Sequence, residues 1–398
     1  MNIRSITIGI NPEHLNERNL FSKIVFLRKE IEKKLEKKNI QIKTFRLTLS
    51  PINLYNNFSE PYVRSILSNI EDLNKKIDFR WYCVPYQLNN NFSTNHLSLK
   101  SALSTLKHFK NSFVNLVLAD NFDSKFFSEL GGFNKKVSLL ANNGFCNFRV
   151  GVSCNIKPNT PFFPFSYHQG DDFSFSVALE SLEYILSKIE NVNFSNVLEF
   201  EKYLLKILDY QLVEFTELFK EISYKTNINF SGLDSSLAPY PENNISVPHL
   251  IEKIGQDNFG SNGTLTITSF LTNLIKKAIN NKKIMRVGFN GVMFSLLEDH
   301  LLAQRNNQRN FNIDSLLLYS SVCGCGLDMI PVPGSIMKEE IGSIISDTLS
   351  LAIKLNKPLG VRLLPIPGKE EYEMTSFNHD FLVDSRIMPV KNMSLNLF

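Results

Sequence analysis

Apolar and polar positions alternate along this chain with two periods, and the switches between them outline an α/β protein. Residues 3–10 are apolar at most positions, as a buried strand requires. Leu20, Ile24, Leu27, Ile31 and Leu35 recur at helical spacing and predict a helix within 15–35. Residues 40–49 read as a strand ending at Ser50-Pro51. Val63, Ile66, Ile70 and Leu73 mark a helix, 77–85 a strand, and Leu99, Leu103 and Leu106 a shorter helix. Strands are predicted over 113–119 and 148–154. The Pro- and Phe-rich segment Lys157-Pro-Asn-Thr-Pro-Phe-Phe-Pro164 then excludes a helix, because proline lacks the amide proton and clashes with the preceding turn. Helices are predicted over 174–189 and 197–222, the second with Phe200, Leu204, Ile207 or Leu208, Leu212, Phe215 and Phe219 on one side. Further strands fall at 227–233, 283–289 and 359–364, and further helices at 247–254, 265–279, 313–319 and 339–355.

No repeat or low-complexity linker interrupts this alternation. The polar turns at 89–94 and 191–196 are the softest boundaries, and neither is long or Gly/Ser-rich enough to separate independent units. One α/β domain over 1–398 is the economical reading, with a barrel or an open sheet both compatible.

Composition changes this picture little. The 398 residues are 43% hydrophobic and 21% charged, enough for a large core. The balance of 43 Lys+Arg against 39 Asp+Glu gives a formal charge of +4. Part of the excess, Lys33, Lys34, Lys37 and Lys38, shares a helix with Glu30, Glu32 and Glu36 and reads as a solvated face. No basic stripe with interleaved aromatics accompanies it, so nucleic acid is not an expected partner. The five cysteines include no CxxC pair, no apolar run approaches the ~18 residues of a membrane span, and no leader-like segment precedes the first strand. Reduced thiols in a cytoplasmic protein are expected, with no membrane partner.

Four segments carry candidate chemistry. In Ser321-Val-Cys-Gly-Cys-Gly-Leu-Asp-Met-Ile-Pro-Val-Pro-Gly334, Gly324 and Gly326 permit tight turning and exposed N–H groups for an anion. Cys323, or less readily Cys325, is a nucleophile if its thiolate is stabilised nearby. The alternative is a buried turn with two packed thiols and a capping Asp328. In the second segment His168 follows an aromatic run and precedes Asp171 and Asp172, which read as helix N-terminal charges. The imidazole is a general base, a metal ligand, or simply a partner for a backbone carbonyl. The third, 231–241, offers Asp234, Ser235 and Ser236 before a rigid Pro-Tyr-Pro; its companion turn Gly260-Ser-Asn-Gly263-Thr264 opens a helix, so Asn262 and Thr264 are candidates for binding an anionic group. In the fourth, Arg362 alternates with apolar neighbours on a strand, which turns it toward polar company: a carboxylate or an anionic ligand.

The same segments carry a family resemblance. The pieces IRSITIGI (3–10), FRLTLSP (45–51), NFRVGVSCNIKPNTPFFPFSYHQG (147–170), LDSSLAPYP (233–241), SVCGCGLDMIPVPG (321–334) and KPLGVRLLPIPGK (357–369) resemble, in order, the domain of unknown function 711 family. The resemblance implies a single-domain, ten-stranded α/β barrel like that of glycyl-radical enzymes such as pyruvate formate-lyase. Met285-Arg-Val-Gly288-Phe-Asn-Gly291 is similar to a glycyl-radical motif, but it is one residue short and precedes Cys323, so no radical is expected. The chain departs from the family pattern near Phe377-Asn-His379-Asp380. The family supplies positions and no reaction.

The expectation is an enzyme acting on a small polar or anionic metabolite. Cys323 serves as thiol, His168 as proton-transfer partner, and Asp234 and Asp328 as orienting carboxylates. Arg362, Gly324, Gly326, Ser236, Asn262 and Thr264 bind substrate. The alternatives are a non-catalytic ligand sensor or an assembly scaffold using the long helix, and a metal-dependent hydrolase using His168 with Asp171 or Asp234. A homo-oligomer is compatible with each, and the sequence points to no particular cofactor or bound metal.

Overall fold

A computed structural model describes residues 1–89, 91–118, 124–141, 143–242 and 245–391. Strands and helices alternate through the first part of the chain: β1 (Ile3–Ile10), α1 (Leu20–Glu36), β2 (Ile42–Leu49), α2 (Glu60–Ile77), β3 (Trp81–Leu88), α3 (Phe92–His108), β4 (Ser112–Leu118), α4 (Ser124–Ser138) and β5 (Val150–Cys154). These five strands lie side by side and parallel, as strand–helix–strand crossovers dictate. β6 (Ser174–Leu179) then pairs antiparallel to β1, and after α5 (Ser181–Ile189) and α6 (Val197–Thr226), β7 (Asn229–Asp234) joins β6 in parallel. Four helices follow, α7 (Val247–Gly255), α8 (Thr264–Ile279), α9 (His300–Asn307) and α10 (Ile313–Ser320). β8 (Gly326–Pro333), α11 (Lys338–Leu355) and β9 (Leu359–Ile366) complete the fold, with β9 antiparallel to β5 and parallel to β8.

The result is one nine-stranded sheet in the order β7-β6-β1-β2-β3-β4-β5-β9-β8. Both ends of this order touch the same extended segment, 284–295. Leu233 and Leu237 bridge to Arg286 and Val292, and Asp328 of β8 bridges to Ser295. The tenth strand expected at 283–289 does not form a regular ladder. Gly288, at φ +76°, bends the segment around Asp234, whose carboxylate accepts from the amides of Phe289 and Asn290 at 2.7 and 3.2 Å.

One face of the sheet carries Ile6, Ile8, Ile10, Leu47, Leu49, Val84 and Leu116, buried in the main core beneath the helices. The opposite face is small and polar, and the loop 155–168 runs across it. The Ser5 and Thr7 hydroxyls donate to the Pro161 carbonyl at 3.1 and 3.3 Å. The Cys83 thiol reaches the carbonyls of Pro164 and Ser166 at 3.2 and 3.3 Å. Asn115 donates to Ser166 O and is itself held by Ser153 at 2.8 Å. A β-carbon at Gly151 or Gly360 would lie within 3.0 Å of the Phe165 ring. A buried loop needs partners for its backbone polar groups, and these inward residues provide them. Around the loop lies a second apolar cluster of Ile156, Phe162, Phe165, Ala178, Ala238, Phe289, Met293 and Cys325.

Several expectations are corrected. The helix predicted over 174–189 is β6 followed by α5, because Ser174, Ser176 and Ala178 alternate with Phe175, Val177 and Leu179 at strand period. Asp171 and Asp172 therefore precede a strand and stabilise no helix end. Residues 77–80 belong to the end of α2 and the turn after it, and β3 starts at Trp81. β8 was masked by its glycine and two prolines. Proline is tolerated there because β8 is an edge strand, with β9 as its ladder partner. Ala119, expected to end β4, and Asn90 in the polar turn lie outside the described residues. The basic cluster of α1 does face solvent, and Lys34 and Lys38 pair with Glu221 and Glu214 of α6 at 2.5 and 2.6 Å. The apolar stripe of α6 is buried in the core, which removes it as an assembly surface.

If the inner face is shaped for the loop, Gly360→Ala should destabilise the protein by about 1–3 kcal/mol through overpacking. Gly132→Ala, in α4 with its new β-carbon 3.7 Å from the nearest atom, should instead stabilise by about 0.5–1 kcal/mol. Urea denaturation of the two variants checks both signs.

Candidate functional site

The tip of the inner loop forms the floor of a cavity of about 330 Å³. Phe162, Phe163 and Phe165 line it from the loop, and Trp81, Phe113, Phe148, Tyr240 and Phe381 complete the aromatic wall. Such a volume suits a small organic ligand. Five cations also line it, and their partners differ.

Arg362 is fully engaged. Its Nε and Nη2 form a fork on Asp328, the Nη2–Oδ2 distance being 2.8 Å, and Nη2 also reaches Glu298 at 2.8 Å. Ser295 donates to the same Glu298 oxygen at 2.5 Å. A buried carboxylate, Asp328, and a half-buried one, Glu298, thus share one guanidinium, a formal surplus of one negative charge when both are ionised. Burial pushes the Asp328 carboxyl above the usual carboxylate range, against the pull of Arg362 and with the help of Glu298. Burial acts on Glu298 in the same direction, but Arg362 and Ser295 outweigh it and hold that group low. The two environments push the proton affinities of the carboxyls apart, Asp328 upward and Glu298 downward.

Arg4 pairs with buried Glu180 at 3.3 Å and donates to the carbonyls of Ala238 and Pro239. Lys43 meets Glu180 at 3.3 Å and lies 4.0 Å from the centre of the Tyr240 ring. Arg46 is different. It is 8% exposed, its Nε donates to Thr44 Oγ1 at 3.0 Å, and its guanidinium lies against Trp81 and Phe163. Among the described residues no carboxylate is within ion-pairing distance of it, nor of Arg80, which stacks on Trp81 and Phe381 at the mouth. Burial, reinforced by neighbouring Arg4, lowers the Arg46 pKa to about 9, so it remains charged at neutral pH.

The remaining predicted residues are dispersed. Cys323 closes the end of α10 and packs into the main core, its amide bonded to Tyr319 O and its carbonyl to Lys357 Nζ at 2.7 Å. Its thiol, in contact with that of Cys325 and facing the Lys357 charge, is held below the ordinary thiol range, whereas that of Cys325 is pushed up. Cys325, not Cys323, belongs to the inner cluster around the loop, and neither lines the cavity. The glycines beside them are packed against backbone: Gly324 N–H donates to Val292 O at 2.6 Å, a β-carbon at Gly324 would lie 3.0 Å from the Gly291 backbone, and one at Gly326 would strike Gly360.

His168 lies over Gly9, with Nδ1 3.2 Å from Asn159 Oδ1 and 3.1 Å from Ser174 Oγ. It shares no partner with Cys323, so the expected thiol–imidazole pair is not assembled. Asp234 accepts from Ser236 N and Oγ as well as from residues 289 and 290, a saturated carboxylate that fastens two segments together. Ser236 also takes the Gly291 amide. The set of His168 with Asp171 or Asp234 is likewise not gathered, and among the described residues no three His, Cys, Asp or Glu side chains are placed to hold a metal ion. Asn262 is exposed, and Thr264 is occupied within its own turn by Gly260 N and Ser261 O. Of the predicted residues, the fold brings Asp328 and Arg362 together in the cavity.

Sequence reasoning missed Arg46, Glu298, Ser295, Arg80 and Trp81. Arg46 had a readable signal, since Thr44, Arg46 and Thr48 alternate with Phe45, Leu47 and Leu49 just as Arg362 alternates with its neighbours. Glu298 had none, standing in a short turn of 3-10 helix after Leu296 and Leu297.

An α/β protein with a cationic, aromatic-walled cavity at one end of its inner loop is thereby defined. Its sequence matches the family model described as Uncharacterised ACR (DUF711) over residues 1–378, and the chain belongs to that family. It is 29% identical over 227 residues to a UPF0210 protein of Pyrobaculum aerophilum, covering 55% of this chain and 50% of the relative. A UPF0210 protein of Actinobacillus pleuropneumoniae is 29% identical over 267 residues, 66% of this chain and 59% of its own length. A UPF0210 protein of Acetivibrio thermocellus is 26% identical over 424 aligned positions, 99% of this chain and 92% of its own length. The match thus spans about half the length of the Pyrobaculum relative and nearly all of the Acetivibrio one.

Two stability predictions follow from the charges. A buried cation without a counter-ion opposes folding, so Arg46→Met should raise stability in the absence of ligand by about 1 kcal/mol or more; thermal unfolding of ligand-free protein reads it. Burial lowers the His168 pKa from 6.5 to about 4. The folded state therefore binds the proton less well than the unfolded chain, and stability is lost as pH falls through that window. The loss should approach roughly 3 kcal/mol and be much smaller in His168→Asn, measured by urea denaturation between the two pH limits.

Proposed function

We propose that this protein is an enzyme whose active site is the cavity between Arg46 and the Glu298–Arg362–Asp328 cluster, acting on a small anionic metabolite by proton transfer without a radical or a thiol. The observation that carries this reading is Arg46, a buried guanidinium with no carboxylate of its own beside an organised acid–base pair. Burying an unpaired charge is costly, and a ligand anion offsets that cost. Arg46 binds the anion, the phenylalanines of the loop tip exclude water from the apolar body, and Asp328 takes or gives the proton while Arg362 holds it in place. Catalysis thereby shifts from Cys323 to Asp328.

The bridges from both sheet edges to 284–295 support a ten-stranded barrel closed by that irregular segment. Two parallel five-stranded halves would then run antiparallel to each other with the loop inside. A small-molecule partner and a cytoplasmic setting accord with this reading. No helix among the described residues is long and apolar enough to cross a membrane.

The test is a turnover screen of small anionic metabolites with wild type, Asp328→Asn and Cys323→Ala. Asp328→Asn should lower kcat by about 10²-fold or more, with Cys323→Ala close to wild type. Turnover lost in Cys323→Ala and retained in Asp328→Asn would overturn the assignment. Binding that depends on Arg46 with no turnover of any bound compound would make the cavity a sensor site.

A further inference from the structure

The cavity's charges are not evenly spread, and their arrangement narrows the ligand. Glu180 answers Arg4 and Lys43, and Glu298 with Asp328 answer Arg362. Two guanidiniums are left, those of Arg46 and Arg80, and both lie on the same indole, 5.3 and 4.7 Å from the centre of the Trp81 ring. Arg80 acts on Arg46 as a like charge, and a negatively charged group between the two would offset that repulsion. Glu242 is exposed at the rim.

The carboxylates that line the cavity decide which dianion fits. A dicarboxylate has its charges at separate ends, and Glu298 and Asp328, which line the same cavity, would repel a carboxylate not held by the two guanidiniums. A group with both charges on one centre meets the two guanidiniums and leaves the other end to a hydroxyl or other hydrogen-bond donor. Arg is also the side chain best matched to phosphate oxygens, which it can bind as a planar fork.

Building on the active-site reading above, we propose that the ligand is a phosphate monoester, its phosphate seated between Arg46 and Arg80 beside Trp81 and its apolar body against the loop-tip phenylalanines.

Trp81 is the one tryptophan of the sequence, so its fluorescence reports on the site directly. Phenyl phosphate and benzoate are titrated into the full chain from pH 5 to 7.5, with wild type, Arg80→Met and Arg46→Met. Benzoate stays singly charged across this range and registers any titration of Asp328, Glu298 or Glu242. The affinity of phenyl phosphate relative to benzoate should rise about tenfold as its second ionisation, near pH 6, is completed. Arg80→Met, at an exposed position, should lower phenyl phosphate affinity tenfold or more and abolish that rise. Equal binding of both compounds with a flat ratio, weakened by Arg46→Met, would overturn the phosphate assignment and leave the anion site standing. No change in Trp81 emission at millimolar concentrations of either compound would overturn both.

Discussion

The fold depends on a loop that has no secondary structure of its own and yet is buried. Residues 155–168 bring a run of backbone carbonyls inside the molecule, where each must find a donor or lose the hydrogen bonds it made to water. Ser5, Thr7, Cys83 and Asn115 supply donors, and Gly9, Gly151 and Gly360 supply room. This explains the small and polar inward positions where β1, β3, β4, β5 and β9 meet the loop. The outer positions build the core with the helices, and the inner positions are fitted to the loop.

The same loop creates the cavity. Its three phenylalanines reach the level of Arg46 and Trp81 and close what would otherwise be an open interior. They provide an apolar floor on which buried charges act over short range in a medium that screens them poorly. The Glu298–Arg362–Asp328 cluster and Arg46 thus belong to one electrostatic system. One part sets two carboxylates against one guanidinium, and the other is left cationic.

Much of the fold was legible because helices and buried strands have different periods. Most of the predicted elements stand within a few residues of their expected places, from β1 to β9. The failures have local causes. β8 carries Pro331 and Pro333, which local reading treats as breakers but an edge strand tolerates. The Ser-Phe-Ser-Val-Ala-Leu run of β6 adjoins α5 without a turn signal. The site was less legible. Arg362 was found because a charged residue among apolar ones on a strand must face something polar, and Asp328 because it stands in the glycine-rich turn with the cysteines. The cysteines drew attention by their chemistry and lie buried away from the cavity. Which of several charged side chains converge is set by long-range topology, as with Glu298 and Arg362, 64 positions apart.

The most direct test of the account is a crystal structure of the protein grown with phenyl phosphate. The account predicts electron density for the phosphate within hydrogen-bonding distance of the Arg46 guanidinium, with the ring against Phe162, Phe163 or Phe165. Density for the ligand elsewhere, with Arg46 contacting only protein, would contradict it.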